Sequence, residues 1–516
     1  MRTRCVRRPG VAHAASAGAA LLGLTAMTSA IASAQGEDIE LVLGGTGPCC
    51  VTPSTPGGVP GPPYTTVADQ LFTAHYFPGY TPQGLPTPEQ FAPFTGIASL
   101  PLDQSVSQDV TDIDAAVTAQ LANGNDVIVL GASQSASAAT VYQDELAALP
   151  VSARPSPDQL SFVLLGDPDN PDGGLLERIA GVYVPDLGLQ AYGPTPDDLY
   201  PSVIYTAQYD GFADFPQYPL DLPADFNALF GVEYVHPFYT DLTAAQIAAG
   251  VVEPVTAADT DTTYIMIPTQ TLPLLKPFAG LLPAPLMDLI EPPLRYIINL
   301  GYDPTAPANV PAPAQLLPDI NPISALIGFG QSIGQGINDA LGAVGLPSLP
   351  DIPALSNLVN DVANSPLATT TFTAADLTFP VPAQIGDVID GPLNALDSGL
   401  TAGINDGIDP AIQSTVYGVG DALRAAATDA GAPEKVTNAI YVLEQLLPIE
   451  FEAPGDAVTN SAHLLVTGIE DLAAGNLSEF GAMLQSIVAD NIVLTNFEGF
   501  FALDAVLNIA AGVPLG

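Results

Sequence analysis

The stretch "DVIVLGASQSASAATVYQDEL", residues 126–146, sets four consecutive branched apolar residues directly before a turn made of small ones. A run of that kind, with no polar alternation, is a strand covered on both faces. Ahead of it, "SVSQDVTDIDAAVTAQLANGN" repeats Val106, Val110, Ile113, Val117 and Leu121 at helical spacing and meets a stop at Gly124. Earlier still, "IELVLGGTG", residues 39–47, runs from a short apolar strand into a glycine turn. Strand, helix and strand in that order require a crossover, and therefore a parallel sheet with helices on its faces. "LSFVLLGDP", "AGVYVP", "SVIYTAQYD" and "VEYVHPFY" read as further strands. The expected fold class is α/β.

The chain divides by composition. Residues 1–34 carry four arginines, an apolar core and the small-residue ending Ala32-Ser33-Ala34, the pattern of a secretory signal peptide cleaved before Gln35. The competing reading is a membrane anchor. The α/β region spans 35–303. Residues 304–323, "DPTAPANVPAPAQLLPDINPI" with its preceding Asp303, form a proline-dense connector expected to stay out of the compact core. Residues 324–516 are Ala-, Leu- and Gly-rich and mainly helical in pattern, with no chemistry of their own. Ten Lys and Arg stand against 55 Asp and Glu, a formal charge of -45. A surface of that sign repels phosphate backbones, so nucleic acid is excluded as a partner. Cys5 leaves with the leader. Cys49 and Cys50 are adjacent, where a disulfide between them needs a distorted peptide, and they receive no catalytic role.

Ser133 stands in Gly131-Ala132-Ser133-Gln134-Ser135, between the strand and a small-residue helix start. A nucleophilic serine in an α/β-hydrolase occupies such a turn, whose neighbours must be small because strand and helix backbones come close. The pattern departs from the stricter G-x-S-x-G form by one serine. Gly330-Gln331-Ser332-Ile333-Gly334 matches that form without departure, but its surroundings read as a glycine-broken helix. Context selects Ser133.

A serine needs a base, and three histidines remain beyond the leader: His75, His236 and His463. Chain order in this fold is serine, acid, histidine. His75 precedes the serine and His463 lies in the helical region, which leaves His236, read as the end of a short strand before Pro237. The acid belongs after a strand between the two, where Asp210 directly follows "SVIYTAQY" and Asp214 is the rival. "GDPDNPDGG", residues 166–174, is a third acidic stretch and reads as a turn. Donors for the oxyanion are expected from the backbone N–H of Gln134 and of Gly45 or Thr46. No metal or cofactor is expected. The Leu- and Pro-rich run after residue 264, through residue 294, is expected either to wall an acyl pocket over Ser133 or to pack on the sheet.

Across residues 39–303, "LVLGGTG", "GASQSASAA", "GDPDNPDGG", "YTAQYDGFADFP", "YVHPFY", "YIMIPTQTLPLL" and "PPLRYIINLGYDP" together resemble the PE-PPE domain of mycobacteria, a serine α/β-hydrolase family related to cutinases and lipases. That family accepts serine in the last motif position. The resemblance implies an α/β-hydrolase fold, triad roles for Ser133, Asp210 and His236, and activity on fatty-acyl esters or acyl transfer onto envelope glycolipids. A signal peptide stands where a PE helical module often does. The expectation is a secreted or envelope serine esterase on neutral lipid esters; the alternatives are an acyltransferase and a noncatalytic lipid-binding protein on the same scaffold.

Overall fold

The structure is a computed structural model, and it describes residues 37–47 and 59–348, with short breaks at 93, 97, 185–186, 257–259, 316–317 and 319–321, together with residue 493. The leader, Cys49, Cys50, His463 and most of the C-terminal region therefore lie outside the described residues. In chain order the elements begin with β1 (Ile39–Val42), α1 (Pro62–Ala68), β2 (Thr81–Gly84), α2 (Leu102–Ala122), β3 (Val127–Ala132) and α3 (Gln134–Ala148). They continue with β4 (Leu160–Leu165), α4 (Leu175–Arg178), β5 (Tyr183–Val184), β6 (Leu189–Gln190), β7 (Ser202–Ala207) and α5 (Leu222–Tyr234). A 3-10 turn, His236–Asp241, then leads to α6 (Ala244–Ala248), β8 (Val251–Val252), β9 (Thr262–Ile267), α7 (Ala284–Asn299) and α8 (Pro322–Ala343).

Seven strands form one sheet in the order β2-β1-β3-β4-β7-β9-β8, parallel throughout except for β8, which pairs antiparallel with β9 at the edge. Strand periodicity divides the core in two. Ile39, Leu41, Val127, Val129, Phe162 and Leu164 face α2 and α3, meeting Val110, Ile113, Val117 and Tyr142. Val42, Ile128, Leu130, Val163, Leu165 and Tyr205 point to the other face, toward Phe72, Val235 and Tyr239. Both faces are covered, so every position of β1, β4 and β7 is buried, including Glu40, Ser161 and Thr206, and apolar residues dominate, as a parallel sheet of this class requires. This is an α/β-hydrolase architecture.

The expected strand at "VEYVHPFY" is not one. Residues 222–234 are α5, capped by the Asp221 carboxylate accepting from the N–H of Ala224, and Val235 to Asp241 continue as a turn. Val232 and Tyr234 end α5 and Val235 caps it, and β-branched and aromatic residues at a helix end give the same local signal as a short strand. The strand that pairs with β7 is β9, whose last three residues, 265–267, open the run taken as an apolar wall. The rest of that run packs against α5, with Leu272, Leu275 and Ile298 buried around Tyr209.

The proline-dense segment also differs from expectation, because its first part is strapped onto the domain. Ala308, Ala312 and Ala314 are buried. Their N–H groups donate to the carbonyls of Pro254 (2.9 Å), Pro171 (3.0 Å) and Arg178 (2.9 Å). Proline-flanked alanines keep the chain extended without bulk, which lets it lie in a groove and still satisfy its backbone. Arg178 fastens the strap. Its guanidinium, 2% exposed, donates to the carbonyls of Ala312 and Phe215 and pairs with Asp172 at 3.4 Å.

Helix α8 packs along α7 on small residues. A Cβ on Gly336 would lie 2.4 Å from the Leu289 carbonyl oxygen, and one on Gly328 would lie 2.3 Å from the Tyr296 hydroxyl. Among the described residues no helix is long and apolar enough to cross a membrane.

Removing the strap's fastener tests its contribution. Arg178→Met strands buried carbonyls and should lower the unfolding free energy by about 3 kcal/mol in chemical denaturation. Arg154→Met, which loses only exposed bonds to Leu149 and Ala147, should cost under about 1 kcal/mol.

Candidate active site

Ser133 sits between β3 and α3 at φ 55° and ψ -118°, a backbone conformation that costs a non-glycine residue energy and is held by its surroundings. The turn is tight enough that a Cβ on Gly131 would lie 2.5 Å from the Ser135 carbonyl oxygen. Glycine is required there on steric grounds. Position 135, in contrast, gains from serine: its hydroxyl accepts from the Ala132 N–H at 2.8 Å and donates to the Gly44 carbonyl at 2.6 Å. The departure from the stricter motif thus ties the turn to the loop after β1.

Ser133, His236 and Asp210 are brought together. His236 Nε2 lies 2.7 Å from Ser133 Oγ, and Nδ1 lies 2.8 and 2.9 Å from the two oxygens of Asp210. Asp210 is fully buried and also accepts from the N–H groups of Phe212 (2.9 Å) and Ala213 (3.3 Å). The ring of Phe212 covers the imidazole at 4.7 Å between centroids. Asp214 does not face the histidine. Its carboxylate accepts from the N–H of Tyr209 at 2.6 Å, bracing a residue at φ 65° immediately before Asp210. Burial pushes Asp214 up to about 7.

Two neighbours of this arrangement received no role from the sequence. Tyr239, buried three residues after His236, donates its hydroxyl to Asp210 Oδ2 at 2.8 Å and accepts from the Ala207 N–H at 2.9 Å. Gly166, at φ 57°, ends β4 against the same group. A Cβ there would lie 3.1 Å from Asp210 Oδ2 and from His236 Cε1. The rest of "GDPDNPDGG" turns inward: Asp167 is buried, accepts from Thr195 at 2.7 Å, and is pushed by burial up to about 6.

Gln134 begins α3, so its backbone N–H belongs to the unpaired first turn, at the positive end of the helix dipole. Gly45 and Thr46 line the same cavity as Ser133 and Gln134. The Gln134 side chain locks these pieces together. Its Oε1 accepts from Thr46 Oγ1 at 2.8 Å, and its Nε2 donates to Ser105 Oγ at 2.6 Å and Asp109 Oδ2 at 3.0 Å. Glu89 holds the glycine loop from the other side, accepting from the Gly44 N–H at 2.6 Å. Ser105 and Asp109 are buried beside the apolar residues of α2, and a carboxylate on a buried helix face is the sequence signal that could have found this network. Burial pushes Asp109 up to about 7, offset in part by the Gln134 hydrogen bond.

The cavity has a volume of about 320 Å³ and opens at Ser133. Its walls include Phe91, Leu102, Val106, Leu176, Leu189 and Phe212. The run of residues 265–294 contributes nothing to its lining, so the acyl-wall expectation for that run is replaced by walls from α2, α4, β6 and the β7–α5 loop. His75 packs edge-on against Tyr76, away from the triad, and Ser332 is buried within α8, donating to the Phe329 carbonyl at 2.7 Å. Among the described residues no group of three or more His, Cys, Asp or Glu side chains is arranged to hold a metal ion.

Residues 78–303 match the PE-PPE domain, and the similarity continues well beyond it. Esterase PE16 of Mycobacterium tuberculosis (strain ATCC 25618 / H37Rv) is 44% identical over 503 residues, covering 97% of this chain and 82% of that protein. The chain belongs to the PE-PPE domain family. Other members share less of their length. The uncharacterized PPE family protein PPE42 of M. tuberculosis (strain CDC 1551 / Oshkosh) is 46% identical over 62% of this chain and 55% of its own. SL1278 acyltransferase Chp1 of the H37Rv strain is 31% identical over 50% of this chain and 62% of its own.

The buried carboxyls set the sign of a pH effect. A carboxyl whose folded pKa is raised contributes stability that is present at acid pH and lost as pH rises through the folded value. For Asp109 that loss runs from the ordinary carboxylate range to about 7. The thermal midpoint should therefore fall between about pH 5 and about pH 8, and Asp109→Asn should fall less steeply, as scanning calorimetry at a series of pH values would record.

Proposed function

We propose that this family member is a secreted or envelope-associated serine esterase acting on neutral fatty-acyl esters. The observation that carries the reading is the continuous chain of hydrogen bonds from Ser133 through His236 to Asp210, opening on an apolar cavity. His236 Nε2 takes the Ser133 proton as the oxygen attacks the ester carbonyl, and Asp210 orients the ring and stabilises its cationic form. The carbonyl oxygen, now negative, is met by the N–H of Gln134 and by the loop holding Gly45 and Thr46. Collapse of the tetrahedral species passes the proton from His236 to the departing alcohol and leaves an acyl-serine. Water, activated by the same histidine, then releases the acid.

The substrate follows from charge and cavity shape. With 55 acidic side chains against ten cations, the protein disfavours anionic esters. A cavity of about 320 Å³ stands near the small end of ligand sites and suits an acyl chain of moderate length. Kinship with Esterase PE16 supports hydrolysis, while kinship with the acyltransferase Chp1 supports a second reading, in which a glycolipid hydroxyl replaces water.

Turnover of neutral p-nitrophenyl esters by the purified chain decides the matter. Ser133→Ala should lose activity by about 10³-fold or more, Asp210→Asn strongly, Asp214→Asn mildly, and Ser332→Ala hardly at all. Activity should rise from acetyl to a longer acyl chain and then fall. A preference for acetyl esters would remove the acyl cavity from the reading, and a glycolipid acceptor acylated at the expense of free acid would transfer it to the acyltransferase.

A further inference from the structure

Tyr239 follows His236 by three residues in the turn His236–Asp241, which bends between them at Phe238 (φ -112°, ψ 20°). Across that bend both side chains reach one carboxylate: imidazole Nδ1 lies 2.8 Å from Asp210 Oδ1, and the Tyr239 hydroxyl donates to Oδ2 at 2.8 Å. The hydroxyl is itself held by the Ala207 N–H at 2.9 Å, the last residue of β7 and three before Asp210. Its ring is fixed by Phe72 at 6.4 Å between centroids. Gly166 leaves room for the whole group, since a Cβ would come within 3.0 Å of the Tyr239 ring. Among the described residues, Oδ2 otherwise meets only the imidazole Nδ1 that it shares with Oδ1, at 2.9 Å.

We infer that Tyr239 is a fourth member of the catalytic relay, a positioning residue that donates to Asp210 Oδ2, fixing the carboxylate toward His236 and setting the basicity of the imidazole. The inference rests on the esterase reading and adds to it the control of the acid. A donated hydrogen bond draws negative charge away from Asp210, which lessens its hold on the imidazolium. His236 then stays neutral, and so competent as a base, to lower pH. The phenol is suited to this because burial and the adjacent Asp210 push its own ionisation upward, keeping the proton in place. The groups around Asp210 that titrate are His236 and Tyr239 on the turn and Asp214 on its own loop. β4 presents Gly166, the serine turn presents Ser133, and the segment after α1 presents Phe72.

Tyr239→Phe keeps the ring and deletes the donor. With a neutral ester, kcat should fall roughly tenfold with KM nearly unchanged, and the acid limb of the kcat/KM profile should move up by about half to one pH unit. Site-specific replacement of Tyr239 by a fluorotyrosine, a stronger donor of nearly the same shape, should move that limb down. Phe72→Leu loosens the ring's packing but keeps the hydroxyl, and serves as the structural comparison. An unmoved acid limb in Tyr239→Phe and in the fluorotyrosine protein, or an equal shift in Phe72→Leu, overturns the inference. Should Tyr239→Phe fail to fold, the fluorotyrosine protein alone decides by the direction of its shift. Full activity in Ser133→Ala would instead overturn the esterase reading itself, so the two failures are separable.

Discussion

The close turn between β3 and α3 is the constraint on which the site depends. Ser133 holds a backbone conformation that L-residues avoid, at a cost of about 1–3 kcal/mol, and the structure meets that cost by fixing the turn from both ends. Gly131 leaves no side chain where the Ser135 backbone passes, and the Ser135 hydroxyl reaches back to Ala132 and across to Gly44. Because Gly44 is also held by Glu89, Ser133, the helix start and the glycine loop form one rigid piece. Gln134 extends that piece to α2 through Ser105 and Asp109. A displacement of the turn would therefore disturb Ser133, the Gln134 N–H and the cavity wall together.

Much of this was legible from residue pattern, and the reasons for the remainder are local. Strands buried on both faces announce themselves by dense apolar and β-branched runs, unbroken in β3 and interrupted by single polar residues in β1 and β4, which is why these and β7 stand out in the sequence. Val232 to Val235 carried the same composition into a helix end, where length rather than residue type distinguishes the two. Chain order singled out His236, and the structure sets it beside Ser133 and Asp210 although its supporting element is not the expected strand, because its place depends on the turn after α5 and not on that element's class. Tyr239 and Gly166 stand inside "YVHPFY" and "GDPDNPDGG" without a role of their own: one is an aromatic among 17 tyrosines, the other a glycine among 47. Only the meeting of β4, β7 and the 3-10 turn gives either residue a role, and that meeting is a long-range event.

Charge is distributed with equal consequence. A chain with so few cations has little means of pairing the carboxyls it buries, and Arg178 is spent on the strap and Asp172 rather than on the site. Glu40, Asp109, Glu177 and Asp214 are accordingly buried with their pKa values pushed up to about 7. Asp210 receives two backbone N–H groups, a phenol and an imidazole.

The contrast between the two serine motifs shows why the better pattern was the worse guide. Gly330-Gln331-Ser332-Ile333-Gly334 satisfies every position of the stricter form, yet it lies within α8, where Gly328, Ser332 and Gly336 recur at helical spacing. Gly328 and Gly336 let α8 approach α7 at distances no side chain would permit, and Ser332, small and bonded to its own helix, continues that stripe. Glycine and serine are selected there for closeness of two helices. At Ser133 the same residue types serve closeness of a strand and a helix, which forces a positive φ and exposes the hydroxyl at the helix start. The physical requirement common to both motifs is a short backbone-to-backbone distance, and the element preceding the serine determines whether that closeness buries its oxygen or turns it to the cavity.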